Sequence, residues 1–305
     1  MEYKQKQEKI IMNKNIPLAH FFSWDQVNSE MIPNVMSEFR WNGVKNLVFC
    51  DSLIKQVLRD PAFFGELRYH MHNQKVNLIE THAPSGQCYD LSCPDTGRFD
   101  SLIEDHIKCM GYSVDCGAMT YTMHIGAWES IFYRTPNEEI RKIAVKKLEK
   151  LVPAAEKLGI IIAVENSFER SNTPDEVLYY INYFNSPNLK CCFDTGHANI
   201  MAPADWKKQE YYSAQLKFAW ENYVEQYPDA LEKLSPYIVT CHLHDNDGYS
   251  DAHILPGRGT IDWKKLVPAL KKCPDLRSMQ TETVYSPDLS VGEVVSTFDA
   301  LMKLD

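Results

Sequence analysis

Apolar and polar positions alternate along this chain in eight repeats of one two-part pattern. A short apolar run is followed by a longer segment whose apolar positions recur at three- and four-residue spacings. The first half of each repeat predicts a buried strand and the second an amphipathic helix. The apolar runs cover residues 16–24, 46–50, 76–81, 118–125, 160–164, 189–193, a stretch opening at Tyr237, and 277–284. Helical segments follow at 27–41, 53–70, 99–115, 135–158, from Thr173 onward, at 204–234, 263–272 and 291–304. Pro33 delays the start of the first helix and Pro61 interrupts the second. Thr135 and Thr173 each precede a proline and read as helix caps, and Gly159 as a helix stop. Residues 82–94 are too rich in turn formers to be regular.

Strict alternation of strand and helix fits a parallel sheet closed on itself, a single (β/α)8 TIM barrel, better than an open doubly wound sheet. No glycine-rich dinucleotide fingerprint opens any helix. Residues 1–14 read as a polar N-terminal extension and 15–305 as one barrel domain with a single hydrophobic core.

In such a barrel the active site forms at the carboxyl ends of the strands. The third strand ends at Glu80-Thr-His82 and the fourth at Met123-His124. The fifth ends at Val164-Glu165-Asn166, the sixth at Phe193-Asp194-Thr-Gly-His197, the seventh at His242-Leu-His244 and the eighth at Gln280-Thr-Glu282. The seventh runs on into Asp245, Asn246, Asp247, Asp251 and His253. A lone strand-end histidine is more often a hydrogen-bonded structural residue, and a lone glutamate a solvated loop charge. Six consecutive strands delivering such groups to one rim point instead to a divalent-metal site, because a central cation relieves both carboxylate repulsion and burial.

Composition narrows the partners. The 305 residues carry a net charge of −9, which counts against a nucleic-acid backbone as main partner. None of the nine cysteines forms a CxxC pair. Cys50, Cys191, Cys192 and Cys241 read as reduced core residues, whereas Cys88 and Cys93 share a polar loop and could pair. The charged start lacks a signal-peptide core and no stretch reaches membrane-spanning length, so the expected setting is a reducing cytoplasm with no membrane partner. A homo-oligomer is compatible with the chain.

These strand-end motifs resemble the xylose isomerase-like TIM-barrel superfamily, in particular its sugar phosphate isomerase and epimerase branch, from about Ile16 to the C-terminus. The resemblance implies one divalent metal ion (Mn, Zn, Mg or Co) held by Glu165, Asp194, a histidine of the seventh strand and Glu282. Spacing alone leaves His242 and His244 both open; the family's wording favours His242 as ligand, with His244 facing substrate. Glu165 and Glu282 would then transfer the proton in isomerisation or epimerisation of a sugar, sugar phosphate or related polyol. His82, His124, His197, His244 and Arg258 would contact that substrate, and Asp251 and His253 could hold additional metal. A rival resemblance within the superfamily is to multi-zinc apurinic/apyrimidinic endonucleases. It would enlist His82, His124, His197, Asp251 and His253 as further ligands. The acidic net charge, and the lack of basic residues where the first two loops open at Trp24-Asp25 and Asp51-Ser52, count against it. A non-enzymatic barrel that keeps metal for stability is a third alternative.

Overall fold

The computed structural model describes residues 16–202, 208–285 and 288–304. The expected polar extension over 1–14 lies outside the described residues. Eight parallel strands close in sequence order into a barrel. They are β1 (Leu18–His20), β2 (Asn46–Phe49), β3 (Asn77–His82), β4 (Thr120–Met123), β5 (Ile161–Glu165), β6 (Leu189–Asp194), β7 (Ile238–Leu243) and β8 (Met279–Thr281). Closure comes from β1 pairing with β8 through Leu18 and Met279, Ala19 and Gln280, and His20 and Thr281. The chain is therefore the single (β/α)8 barrel that its alternating pattern predicts. Every residue of β5 and β7 is buried, as expected for strands packed inside the barrel and covered by helices outside.

Register brings the site residues level. His242 of β7 pairs with Asp194 of β6 on one side and with Gln280 of β8 on the other. A register shift between Cys191 and Cys192 produces this alignment. Because alternate residues share a face, Ile161 and Ala163 lie beneath Glu165 on β5, where they cluster with Cys192 and Val239.

Several helix boundaries differ from the pattern for local reasons. The first main helix begins at Ile32, with Pro33 in its opening turn. The segment 53–70 is two helices, Asp51–Arg59 and Pro61–Gln74, and the Asp60 carboxylate caps the second by accepting from the Ala62 N–H. Thr173 caps Pro174–Phe184 as expected. Thr135 does not cap: the helix Asn137–Leu158 starts later, and the Thr135 hydroxyl donates to the Glu129 carboxylate at 2.9 Å.

The long helix expected over 204–234 is absent from the described residues. The segment after β6 instead holds the short helices Thr195–Ile200, Ala214–Ala219 and Ala230–Leu234, with Glu221 and Asn222 in left-handed conformations. Its apolar residues serve a second buried cluster, in which Ile200, Met201, Leu216 and Trp220 pack on Ile131 and Phe168. The hydrophobic interior is thus not the single core expected. All nine cysteines are free, Cys88 and Cys93 included. Among the described residues no helix is long and apolar enough to cross a membrane.

Candidate metal centre

Glu165 closes β5, Asp194 closes β6, His242 is next to last in β7, and Glu282 directly follows β8. His242 Nδ1 lies 3.1 Å from Glu165 Oε2, 3.1 Å from Glu282 Oε2 and 3.9 Å from Asp194 Oδ2. One donor atom from each of the four falls within 4.8 Å of all the others. Glu165, Asp194 and His242 are buried, and Glu282 is nearly so. Neither ring nitrogen of His242 has a hydrogen-bond partner, nor has Glu282 Oε2. Three carboxylates and an imidazole that converge away from water, with the His242 nitrogens and Glu282 Oε2 left unpartnered, form a donor set suited to a divalent cation.

The frame around these donors is polar and specific. The Asn166 side chain both accepts from the Asp194 N–H and donates to the Asp194 carbonyl, each at 3.0 Å. Asp194 Oδ1 caps the helix Thr195–Ile200 by accepting from the His197 N–H at 2.6 Å. Thr195 Oγ1 donates to the carbonyls of His242 and His244 and accepts from the His244 N–H.

A second group sits beside the first. His197, His244, Asp251 and His253 also bring one donor atom each within 4.8 Å of the others. His197 donates its Nδ1–H to the Asn166 carbonyl at 3.1 Å, and His253 donates its Nδ1–H to the Glu282 carbonyl at 2.8 Å. Their Nε2 atoms then lie 3.4 and 3.2 Å from Asp251 Oδ1. Imidazoles locked by backbone carbonyls with the other nitrogen turned toward a carboxylate match the outer-shell arrangement of metal-binding histidines. His82 follows the same rule, donating Nδ1–H to the Ala83 carbonyl at 3.0 Å. It forms a third group with His124 and Glu165.

The charges are strongly coupled. Burial alone would raise the Glu165 carboxyl, but the imidazoles of His242 and His124 hold it well below the usual carboxylate range. Glu282 is likewise held low against its burial, chiefly by His242, and Asp251 by His197 and His253. Burial disfavours charge on His124 and His253, yet neighbouring carboxylates push both up to about 9. His82 is lowered, first by burial and then by His124.

Two residues expected to contact substrate have protein partners. His244 faces no open cleft; it is fully buried, with Nε2 3.1 Å from both oxygens of Asp194. Arg258 is exposed and pairs with Glu293 at 2.5 Å. Of the aromatic residues near strand ends, Trp24 is buried edge-on to Phe22, and Trp128 is exposed beside Phe132.

Three further residues carry the site from behind. Asp245 belongs to none of the donor groups. Its carboxylate collects the N–H groups of Asn246, Gly257 and Ile261 and the Trp263 indole, so it pins the turn that presents Asp251 and His253. Glu80 is sealed inside the barrel, bonded by Thr120 and Ser278, and burial pushes its carboxyl up to about 7. Its two-residue spacing from His82 on β3 signals that both share a face. Phe168 meets His197 edge-on at 5.6 Å and is held by Trp220 Nε1 donating to its carbonyl; no local sequence signal marks that contact.

With the fold and these donors in place, the chain belongs to the xylose isomerase-like TIM barrel family, whose model matches residues 54–275. It is 31% identical over 130 residues to the uncharacterized protein MJ1311 of Methanocaldococcus jannaschii, a match covering 41% of this chain and 37% of that protein. The chain thus spans well under half the length of that curated relative. Among solved structures it resembles D-psicose 3-epimerase with D-tagatose from Clostridium cellulolyticum, with a TM-score of 0.67, 14% identity, and 95% and 99% of the two chains covered. It also resembles a Thermus thermophilus protein soaked with zinc chloride, with a TM-score of 0.63, 22% identity, and 94% and 98% covered. At these identities the likeness is one of fold.

Proposed function

We propose that this barrel is a divalent-metal-dependent isomerase or epimerase of a sugar or related polyol, moving a proton through an enediolate. The observation that carries the reading is the convergence of Glu165, Asp194, His242 and Glu282 within 4.8 Å. These four would hold one divalent ion, of Mn, Zn, Mg or Co. When bound, such an ion supplies Lewis acidity that polarises a carbonyl and the hydroxyl beside it. Glu165 and Glu282 approach His242 from β5 and β8 and stay ionised at neutral pH, so they are the pair to remove a proton from carbon and return it. His124 donates to Glu165 at 3.0 Å and fixes its orientation. His197 and His82 stand beside Glu165 and would meet substrate oxygens on this reading. A sugar epimerase among the structures of like fold supports the same reading.

The second group, His197, His244, Asp251 and His253, favours one other reading: a multi-zinc phosphodiesterase acting on DNA. Metal analysis of the purified chain separates the two. One ion per chain, weakened by Glu282→Gln, together with turnover in a screen of ketoses and aldoses, is the expected result. Three zinc ions with cleavage of abasic DNA would replace the isomerase reading.

A further inference from the structure

We propose that His244 is a positioning residue that organises both donor groups at once, orienting the Asp194 carboxylate through Nε2–H and setting the plane of His253 through its ring face. The inference rests on the metal-centre reading above. His244 is fully buried, and its Nε2 is equidistant, at 3.1 Å, from Asp194 Oδ1 and Oδ2. A donor centred on both oxygens fixes the rotation of the carboxylate, and hence which lone pairs face Glu165 and His242. The other face of the residue does different work. Its ring stacks on His253 with centroids 3.7 Å apart and planes 3° from parallel, while His197 meets it edge-on at 5.6 Å.

The placement of His244 is itself over-determined. Thr195 Oγ1 clamps its backbone, accepting from N–H at 3.2 Å and donating to C=O at 3.0 Å. Gly196 leaves the slot that the imidazole fills, because a Cβ there would overlap the ring. A histidine needed only for bulk requires neither device. With Nε2–H on Asp194, His244 acts on the Glu165, Asp194, His242 and Glu282 group through Asp194 rather than as one of its members.

The test uses the full chain and Co2+ as probe, with affinity read by chelator competition and geometry by the visible absorption of the bound ion. His244→Phe keeps a ring against His253 and loses the bond to Asp194; His244→Gln keeps a donor near the Nε2 position and loses the ring. Removing an outer-shell partner weakens metal binding by ~10–100-fold, so His244→Phe is expected to fall in that range with the stoichiometry unchanged. His244→Gln is expected to restore most of the affinity while altering the absorption spectrum. Thr195→Val, which frees the backbone of His244 and the carbonyl of His242 while keeping both side chains, is a second arm expected to weaken binding as well. Wild-type affinity in both His244→Phe and Thr195→Val overturns the proposal, as does loss of one equivalent of Co2+ in either His244 variant, which would make His244 a ligand. A wild-type chain that binds no Co2+ overturns instead the metal-centre reading on which the proposal stands.

Discussion

Gly196 and His244 occupy one another's space: the side chain that Gly196 lacks would stand where the His244 imidazole lies. Gly196 has ordinary right-handed geometry, in the first turn of the helix that Asp194 caps, so its requirement is steric rather than conformational. Gly196→Ala must push the His244 ring out of its stack on His253 and off Asp194. Overpacking of this kind costs about 1–3 kcal/mol. The expected outcome is a lower melting temperature together with metal affinity reduced by ~10-fold or more. Differential scanning fluorimetry and chelator competition on one preparation would decide it, and an unchanged metal affinity would refute the coupling.

Asp245 provides a prediction of stability rather than chemistry. Its two oxygens accept four hydrogen bonds, from Asn246, Ile261, Gly257 and the Trp263 indole. In Asp245→Asn one oxygen becomes an amide that cannot accept, leaving buried donors unpaired at a cost of roughly 2–4 kcal/mol. Trp263 emission should shift as its indole loses the carboxylate. Occupancy of the four-residue centre should persist, because none of the hydrogen bonds to the Asp245 carboxylate comes from Glu165, Asp194, His242 or Glu282.

The contrast between Asp194 and Asp245 shows what the sequence makes legible. Asp194, like Glu165, ends an apolar run, and strand parity with a closed barrel is enough to direct both inward. Asp245 stands in an equally acidic stretch, but its role depends on backbone N–H groups arriving from positions 257 and 261, which no side-chain pattern encodes. His244 has the parity of His242, so alternation aims both toward the site; only the packing of Gly196 and His253 shows that it is enclosed. The segment after β6 misleads for a related reason. Its apolar spacing is real but feeds a side cluster around Trp220, built from short helices that left-handed Glu221 and Asn222 break apart.

Metal should stabilise the fold as well as serve chemistry. Glu165, Asp194 and Glu282 crowd His242, whose ring nitrogens are unpartnered, so a divalent ion bound only by the folded chain would raise stability by mass action. At a free metal concentration 100 times Kd the gain is about 2.7 kcal/mol. Melting temperature should rise with the logarithm of Mn2+ or Zn2+ concentration and return to its starting value after chelation. Glu165→Gln should flatten that dependence, since it removes a donor shared by the first and third groups.

A pH prediction comes from a histidine remote from these donors. His106 is buried, its Nε2–H donating to the Tyr89 carbonyl at 2.8 Å while Nδ1 lies 2.8 Å from the Tyr121 hydroxyl. That arrangement satisfies the neutral ring: the hydroxyl donates to one nitrogen and the carbonyl accepts from the other. Burial lowers its pKa from 6.5 to about 4. The unfolded chain therefore takes up a proton near pH 6.5 that the folded chain refuses until about pH 4. Stability from this group is complete above pH 6.5 and is lost as pH falls through that window, by about 3 kcal/mol in all. His106→Gln cannot titrate; it should be less stable than wild type at neutral pH and show a shallower fall in denaturation midpoint between pH 6.5 and 4. Denaturant titrations of both chains at half-unit pH steps would measure the difference, and parallel curves would show that His106 contributes nothing to acid unfolding.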